Sequence, residues 1–137
     1  MEPKQSYSRK ISESISEKQC DFCNYINENN IIKESKYFAL IPNRFPYVKN
    51  HIMLIPKRHI HSELDMLKPE SIDFNDFHKK ILKIFYNNFN SCFYFTRENT
   101  PDQSMWHFHR HYLPDDSILK KAKIKRVTFN GISIQGL

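Results

Sequence analysis

Glycine is almost missing: Gly131 and Gly136 are the only two in 137 residues. A Walker-type or dinucleotide-binding loop needs several glycines so that backbone N–H groups can close on a phosphate, so those folds are excluded and any phosphate chemistry must use side chains. Cysteine is sparse as well. Three cysteines, in a chain whose first 19 residues (MEPKQSYSRKISESISEKQ) lack the apolar core of a secretory signal, argue against a disulfide framework, and a cytoplasmic protein is the expectation. No apolar run approaches the roughly 18 to 20 residues of a membrane span, so no membrane partner is expected. With 39% hydrophobic and 14% aromatic residues, the length suits one domain and leaves no room for a second.

Acid is missing from the C-terminal end. Residues 117–137 carry Lys120, Lys121, Lys123, Lys125 and Arg126 and no carboxylate; without these five, 16 basic residues face 15 acidic ones, so the formal charge of +6 belongs almost wholly to this tail. Such a tail can touch nucleic acid or anionic lipid, although a solvated arm is the simpler reading, and no basic, aromatic-interleaved stripe occurs elsewhere. Residues 1–19, rich in Ser, Lys and Glu, read as a flexible polar arm. The domain is expected over residues 20–116.

Within it, the runs IIKES, YFALIPN and HIMLIP read as strands, the last two joined by a Pro-bearing loop through Arg44-Phe45-Pro46-Tyr47. From Ser71, a candidate N-cap, Phe74, Phe77, Ile81, Ile84, Phe85 and Phe89 recur at spacings of three and four up to Asn90, which predicts an amphipathic helix with its apolar face in the core. CFYFT, with Cys92 as a core thiol, and WHFHRHYLP supply two more strands around the polar turn ENTPDQ, and VTF-Asn130-Gly131-ISI has hairpin chemistry. Strands, helix, strands is the pattern of an α+β domain with a mostly antiparallel sheet.

Two groups of residues carry chemistry. Cys20 and Cys23 form a Cys-x-x-Cys pair, the spacing at which two thiolates grip one metal ion or form a redox couple. His107, His109 and His111 alternate along a predicted strand, whose period of two puts them on one face about 6.6 Å apart, with Phe108, Arg110 and Tyr112 on the other. Three imidazoles in file are costly to bury without partners. Such a set can ligate a transition metal, or hold phosphate while one imidazole attacks phosphorus.

These residues resemble the histidine triad family, whose mark is His-x-His-x-His followed by two apolar residues: here His107-Phe108-His109-Arg110-His111-Tyr112-Leu113, preceded by Gln103-Ser104. NRFPYVKNHIMLIPKRH is similar to the family's strand-loop-strand segment, with Asn43 eight residues before His51, and Cys20-Asp21-Phe22-Cys23 matches the metal-binding opening of many members. The resemblance runs from about Cys20 to Pro114. Departures are Arg110 in an apolar slot, Asn50 where a glycine is usual, Asp115 where many relatives have Arg, and Thr96, thirteen residues before His109, where relatives carry an amide near the phosphates.

The resemblance implies a five-stranded antiparallel sheet with two helices, a homodimer, and hydrolysis or nucleotidyl transfer at the α-phosphorus of a nucleotide conjugate, such as a dinucleoside polyphosphate or a nucleoside phosphoramidate. His109 would be the nucleophile, with His107 and His111 completing the catalytic triad. His111, Gln103 and Ser104 would hold phosphate oxygens, Thr96 would lie near them, and His51 would support. A structural zinc would sit on Cys20, Cys23, His59 and His107. Asn43-Arg44-Phe45-Pro46 resembles the branch that splits dinucleoside polyphosphates, which implies a ribose contact for Asn43 and a base flanked by Phe22, Ile41 and Phe45; a turn cap is the simpler role for Asn43. Two other readings stay open: a metal-dependent hydrolase with His107, His109 and His111 as ligands, and a non-catalytic nucleotide-binding regulatory module.

Overall fold

The computed structural model describes residues 20–27, 30–101, 103 and 105–121; the polar arm 1–19, most of the basic tail and the Asn130-Gly131 turn lie outside them. In chain order the elements are α1 (Asp21–Asn27), β1 (Lys33–Glu34), β2 (Phe38–Pro42), β3 (Ile52–Pro56), a 3-10 turn (Glu63–Asp65), α2 (Lys68–Phe89), β4 (Phe93–Thr96), β5 (Arg110–Leu113) and α3 (Ile118–Lys121). The five strands form one antiparallel sheet in the order β1-β2-β3-β5-β4. This is the expected α+β sheet, with three helices among the described residues in place of two.

Alternation along the strands builds a layer on each face. Phe38 and Leu40 of β2, Leu54 of β3 and Tyr112 of β5 join Phe74, Phe77, Ile81 and Phe85 of α2 in one buried cluster, with Phe108 and Ile60. Their odd-even neighbours Ala39, Ile41, Met53 and Ile55 turn the other way and pack with Tyr25 of α1, backed by Phe22 and Ile26. Because both faces of β2 and β3 are covered, FALI and MLI read as unbroken apolar runs. Each large apolar side chain fully removed from water contributes about 1.5–3 kcal/mol, so α2, with four core residues, is the main clamp on the sheet.

Two local expectations are corrected. The long helix starts one turn before Ser71, because Leu67 is extended (φ −75°, ψ 157°), Pro lies in the first turn, and the Glu70 carboxylate accepts the Leu67 N–H at 2.8 Å. Ser71 is inside the helix, its N–H bonded to Leu67 O. Arg58 grips Glu70 through Nε and Nη2 at 3.1 and 2.8 Å, which holds this buried carboxyl below its usual range. The helix ends at Asn90, a left-handed C-cap (φ 59°), as the pattern predicts. The second correction concerns the histidine strand, which is regular only from Arg110. His107-Phe108-His109 is a lead-in outside the ladder, tied to the segment after β3 by the Phe108 N–H on Ile60 O at 2.7 Å.

Candidate active site and metal centre

His51, His107, His109 and His111 are all buried, on the face of the sheet opposite α2. Strand register puts Met53 of β3 and Phe95 of β4 on either side of His111. His51 stands at the mouth of β3 because Asn50 before it takes a left-handed turn (φ 68°), a conformation Asn tolerates where glycine is usual.

Hydrogen bonds decide which ring nitrogen each histidine presents. The Tyr47 N–H donates to His51 Nδ1 at 3.1 Å, so neutral His51 carries its proton on Nε2, which donates to His111 Nδ1 at 2.8 Å. His111 therefore holds its own proton on Nε2. His109 Nδ1–H donates to the His107 carbonyl at 2.8 Å, which leaves the Nε2 lone pair of His109 unprotonated. Phe22 of α1 lies edge-on against His109, ring centres 5.0 Å apart.

Burial keeps these rings neutral. Desolvation, then the charges of His109 and Arg97, lower His51 to about 4; desolvation and Arg97 bring His109 to about 4. His111 lies well below the ordinary imidazole value for the same reasons, burial first. At neutral pH the site thus holds a basic nitrogen on His109 beside an N–H donor on His111.

His107 faces elsewhere. Its Nε2–H donates to Pro56 O at 2.8 Å, so Nδ1 offers a lone pair to Cys20 Sγ and Cys23 Sγ, each 3.3 Å away. His59 Nδ1 lies 3.3 Å from Cys23 Sγ, and one donor atom from each of the four residues falls within 4.8 Å of the others. Tetrahedral zinc with bonds of ~2.3 Å to sulfur and ~2.0 Å to nitrogen has ligand edges near 3.5 Å, so the tetrad fits that ion. Burial raises the Cys20 thiol and drives His107 down to about 3; the neutral imidazole is ready to ligate, while the thiolate needs a cation to compensate it. The Cys-x-x-Cys pair straddles the first turn of α1, so the same cluster ties that helix to the sheet.

The remaining predicted residues divide. Asn43 lies beside the histidines, its Nδ2 3.2 Å from His51 Nε2 and donating to Met53 Sδ at 3.6 Å, while its Oδ1 accepts the Phe45 N–H at 2.8 Å and so caps its own turn. Gln103 is buried and braces its loop, accepting the Asn99 N–H at 2.7 Å and donating to Met105 O at 2.9 Å. Ile41 is buried in the α1-side cluster. Ser104 lies outside the described residues. Thr96 is not brought to the histidines. It pairs with Arg110 across the sheet, its Oγ1 accepts Arg110 Nε at 2.9 Å, and Arg110 reaches on to Glu63 at 2.8 Å over the Phe74 and Tyr94 rings. The Arg110 departure is thereby accommodated on the α2 side. Arg97, one position on, lies on the histidine side instead, its guanidinium carbon 4.9 Å from the centre of the Phe95 ring that stacks on His111. Period-two alternation from Phe95, the partner of His111, was the signal for it.

Comparison with known proteins bears on the family and the fold. The profile of the HIT domain matches residues 25–118. Among curated proteins no sequence matches the chain. Several solved structures share the fold: a member of the HIT family from Bacillus subtilis (19% identity, 82% of each chain, TM-score 0.66) and a histidine triad protein from Clostridium difficile (23%, 69% of this chain and 88% of that one, 0.57). A zinc-bound histidine triad family protein from Mycobacterium smegmatis superposes over 74% of this chain and 78% of its own, with 18% identity and TM-score 0.64. With the profile running from α1 into α3 across the whole sheet and all three triad histidines, the chain belongs to the histidine triad (HIT) family.

Proposed function

We propose that the protein is a nucleotide phosphohydrolase or nucleotidyltransferase that cleaves at the α-phosphorus of a nucleotide conjugate through a nucleotidyl-His109 intermediate. The observation that carries this reading is the paired use of His109 and His111: one Nε2 stripped of its proton, the neighbouring Nε2 holding one, their ring centres 4.8 Å apart. His109 Nε2 attacks phosphorus, the P–N bond forms, and the bond to the leaving group breaks with its electron pair. Water or another acceptor then attacks phosphorus and gives its proton to solvent, the P–N bond breaks with its electron pair returning to Nε2, and His109 is again neutral. His111 Nε2–H donates to a non-bridging oxygen as charge develops, held in aim by His51, and a gain of this type supplies a few kcal/mol of barrier lowering, about 3 for one well-placed donor. Asn43 would meet the ribose with its remaining N–H and lone pair, each such bond contributing about 1 kcal/mol.

Zinc would be held by Cys20, Cys23, His59 and His107, where it would anchor α1 against the lead-in to β5 and take no part in bond making. The metal-hydrolase reading lacks a site: among the described residues the donor group close enough for an ion is this tetrad, and it takes one triad histidine, not three. A homodimer and a cytoplasmic setting go with the family resemblance, and sedimentation of the purified chain reads the first. Turnover of a panel containing diadenosine triphosphate and adenosine phosphoramidate tests the enzymatic reading. Release of AMP from either supports it; tight nucleotide binding with no release from any member would make the chain a binding module instead.

A further inference from the structure

Arg97 differs from Arg58 and Arg110. Arg58 is spent on Glu70, and Arg110 on Glu63 and Thr96. Among the described residues no carboxylate pairs with Arg97, whose one protein contact by a guanidinium N–H is a long 3.5 Å approach of Nη1 to the Tyr47 hydroxyl. The guanidinium lies over the Phe95 ring, which is stacked on His111 at 4.5 Å and 18°, and Tyr47 leans over both His51 and His111. A half-buried cation with most of its five donors unspent thus borders the histidines at the aromatic rim of the site, and its charge bears on His51, His109 and His111 alike.

The chemistry of the leaving group says what such a cation is for. An amine leaving from phosphorus needs a proton, which a guanidinium cannot give at any working pH; a phosphate leaving group needs its growing negative charge met, which a guanidinium does through two parallel N–H bonds. We propose that Arg97 is a specificity-determining residue that holds the phosphate beyond the α-phosphorus, so that this enzyme prefers nucleotides with a phosphate leaving group, dinucleoside polyphosphates above all, over nucleoside phosphoramidates. The inference rests on the nucleotidyl-transfer reading and narrows its substrate class. In the step concerned, the P–N bond to His109 forms, the P–O bond toward the β-phosphate breaks, and the electron pair goes to the β-phosphate oxygen that Arg97 faces.

The test measures kcat/KM for diadenosine triphosphate and for adenosine phosphoramidate, with ATP as a second anionic probe, on wild type, Arg97→Gln and Arg97→Lys. The ratio of anionic to amidate substrate is expected to fall roughly 10- to 100-fold in Arg97→Gln and to recover in part in Arg97→Lys, which restores charge without the fork. An unmoved ratio overturns the proposal, since a merely structural arginine would lower both substrates together. Calorimetric binding of ADP and AMP separates the two layers of inference. If wild type turns over neither substrate, the enzymatic reading falls; the Arg97 assignment then stands only if ADP binds more tightly than AMP in wild type and Arg97→Gln abolishes that difference.

Discussion

Two neighbouring groups of histidines, drawn from one run of five residues, do opposite things with their rings. His107 gives Nε2–H to a carbonyl and turns Nδ1 toward two sulfurs, whereas His109, two residues on, gives Nδ1–H to a carbonyl and leaves Nε2 bare. Strand spacing alone would put both on one face doing one job. What separates them is the backbone: neither residue is in the ladder, so one ring reaches back beneath α1 while the other stays beside His111. Carbonyl acceptors placed by the fold choose the tautomer, and the tautomer chooses between ligand and nucleophile.

This contrast is open to attack from both sides. The largest expected effect is on the reactive side: His109→Ala should lower kcat by about a thousandfold or more, because water lacks the preorganised attack. The same variant should keep its metal content, and a loss of zinc with His109 would merge the two groups into one. Next comes the structural side. Cys20→Ser, or chelation of the wild type, should empty the metal site and lower Tm by roughly 10 °C or more, since a structural ion contributes its binding energy to folding. Calorimetry with metal analysis reads this, and an unchanged Tm would mean that the cluster holds α1 without an ion.

Replacing His51 by Phe removes the group that keeps the proton of His111 on Nε2, and kcat should drop about 10- to 100-fold with KM little altered. A fourth prediction follows from the lowered imidazoles. His109 reacts when neutral and titrates at about 4, so kcat/KM should hold down to about pH 5 and fall only as pH drops through that value. An ordinary imidazole would put the acid limb near 6.5. The sign for stability agrees: an imidazole whose folded value lies below its unfolded one adds stability above about pH 6.5, lost as pH falls toward about 4. A pH–rate profile with parallel melting curves checks both. The smallest effect belongs to Thr96→Val, which should leave activity within about twofold and cost about 1 kcal/mol through the lost Arg110 bond.

Much of the sheet was readable from the chain because YFALIPN, HIMLIP and CFYFT are apolar runs bounded by Pro, Asn and polar turns, and α2 because its apolar face repeats over 22 residues. Its start was displaced by Ser71, a good cap in type but not in place, since the Pro in the first turn and the back-bonding Glu70 begin the helix sooner. α1 leaves no periodic signature: seven residues are too short for one, and its first turn is taken up by the Cys-x-x-Cys pair. The convergence of residues 20, 23, 59 and 107 depends on chain crossings that no local pattern encodes, so only the family resemblance pointed to it. Spacing from the triad points to Thr96, which alternation turns toward α2, and not to Arg97 on the facing side. Gln103 shows the converse limit, because a loop amide can serve its own backbone as readily as a substrate.

The central claim is that His109 alone becomes covalently bound to the nucleotide while His107 stays with the metal cluster. Intact-mass analysis of wild type quenched in alkaline denaturant during turnover of diadenosine triphosphate, followed by peptide mapping, addresses it directly. The account predicts a gain of one nucleoside monophosphate, labile to acid and located on His109. An adduct on His107 or His111, or steady turnover with no adduct at any quench time, would contradict it.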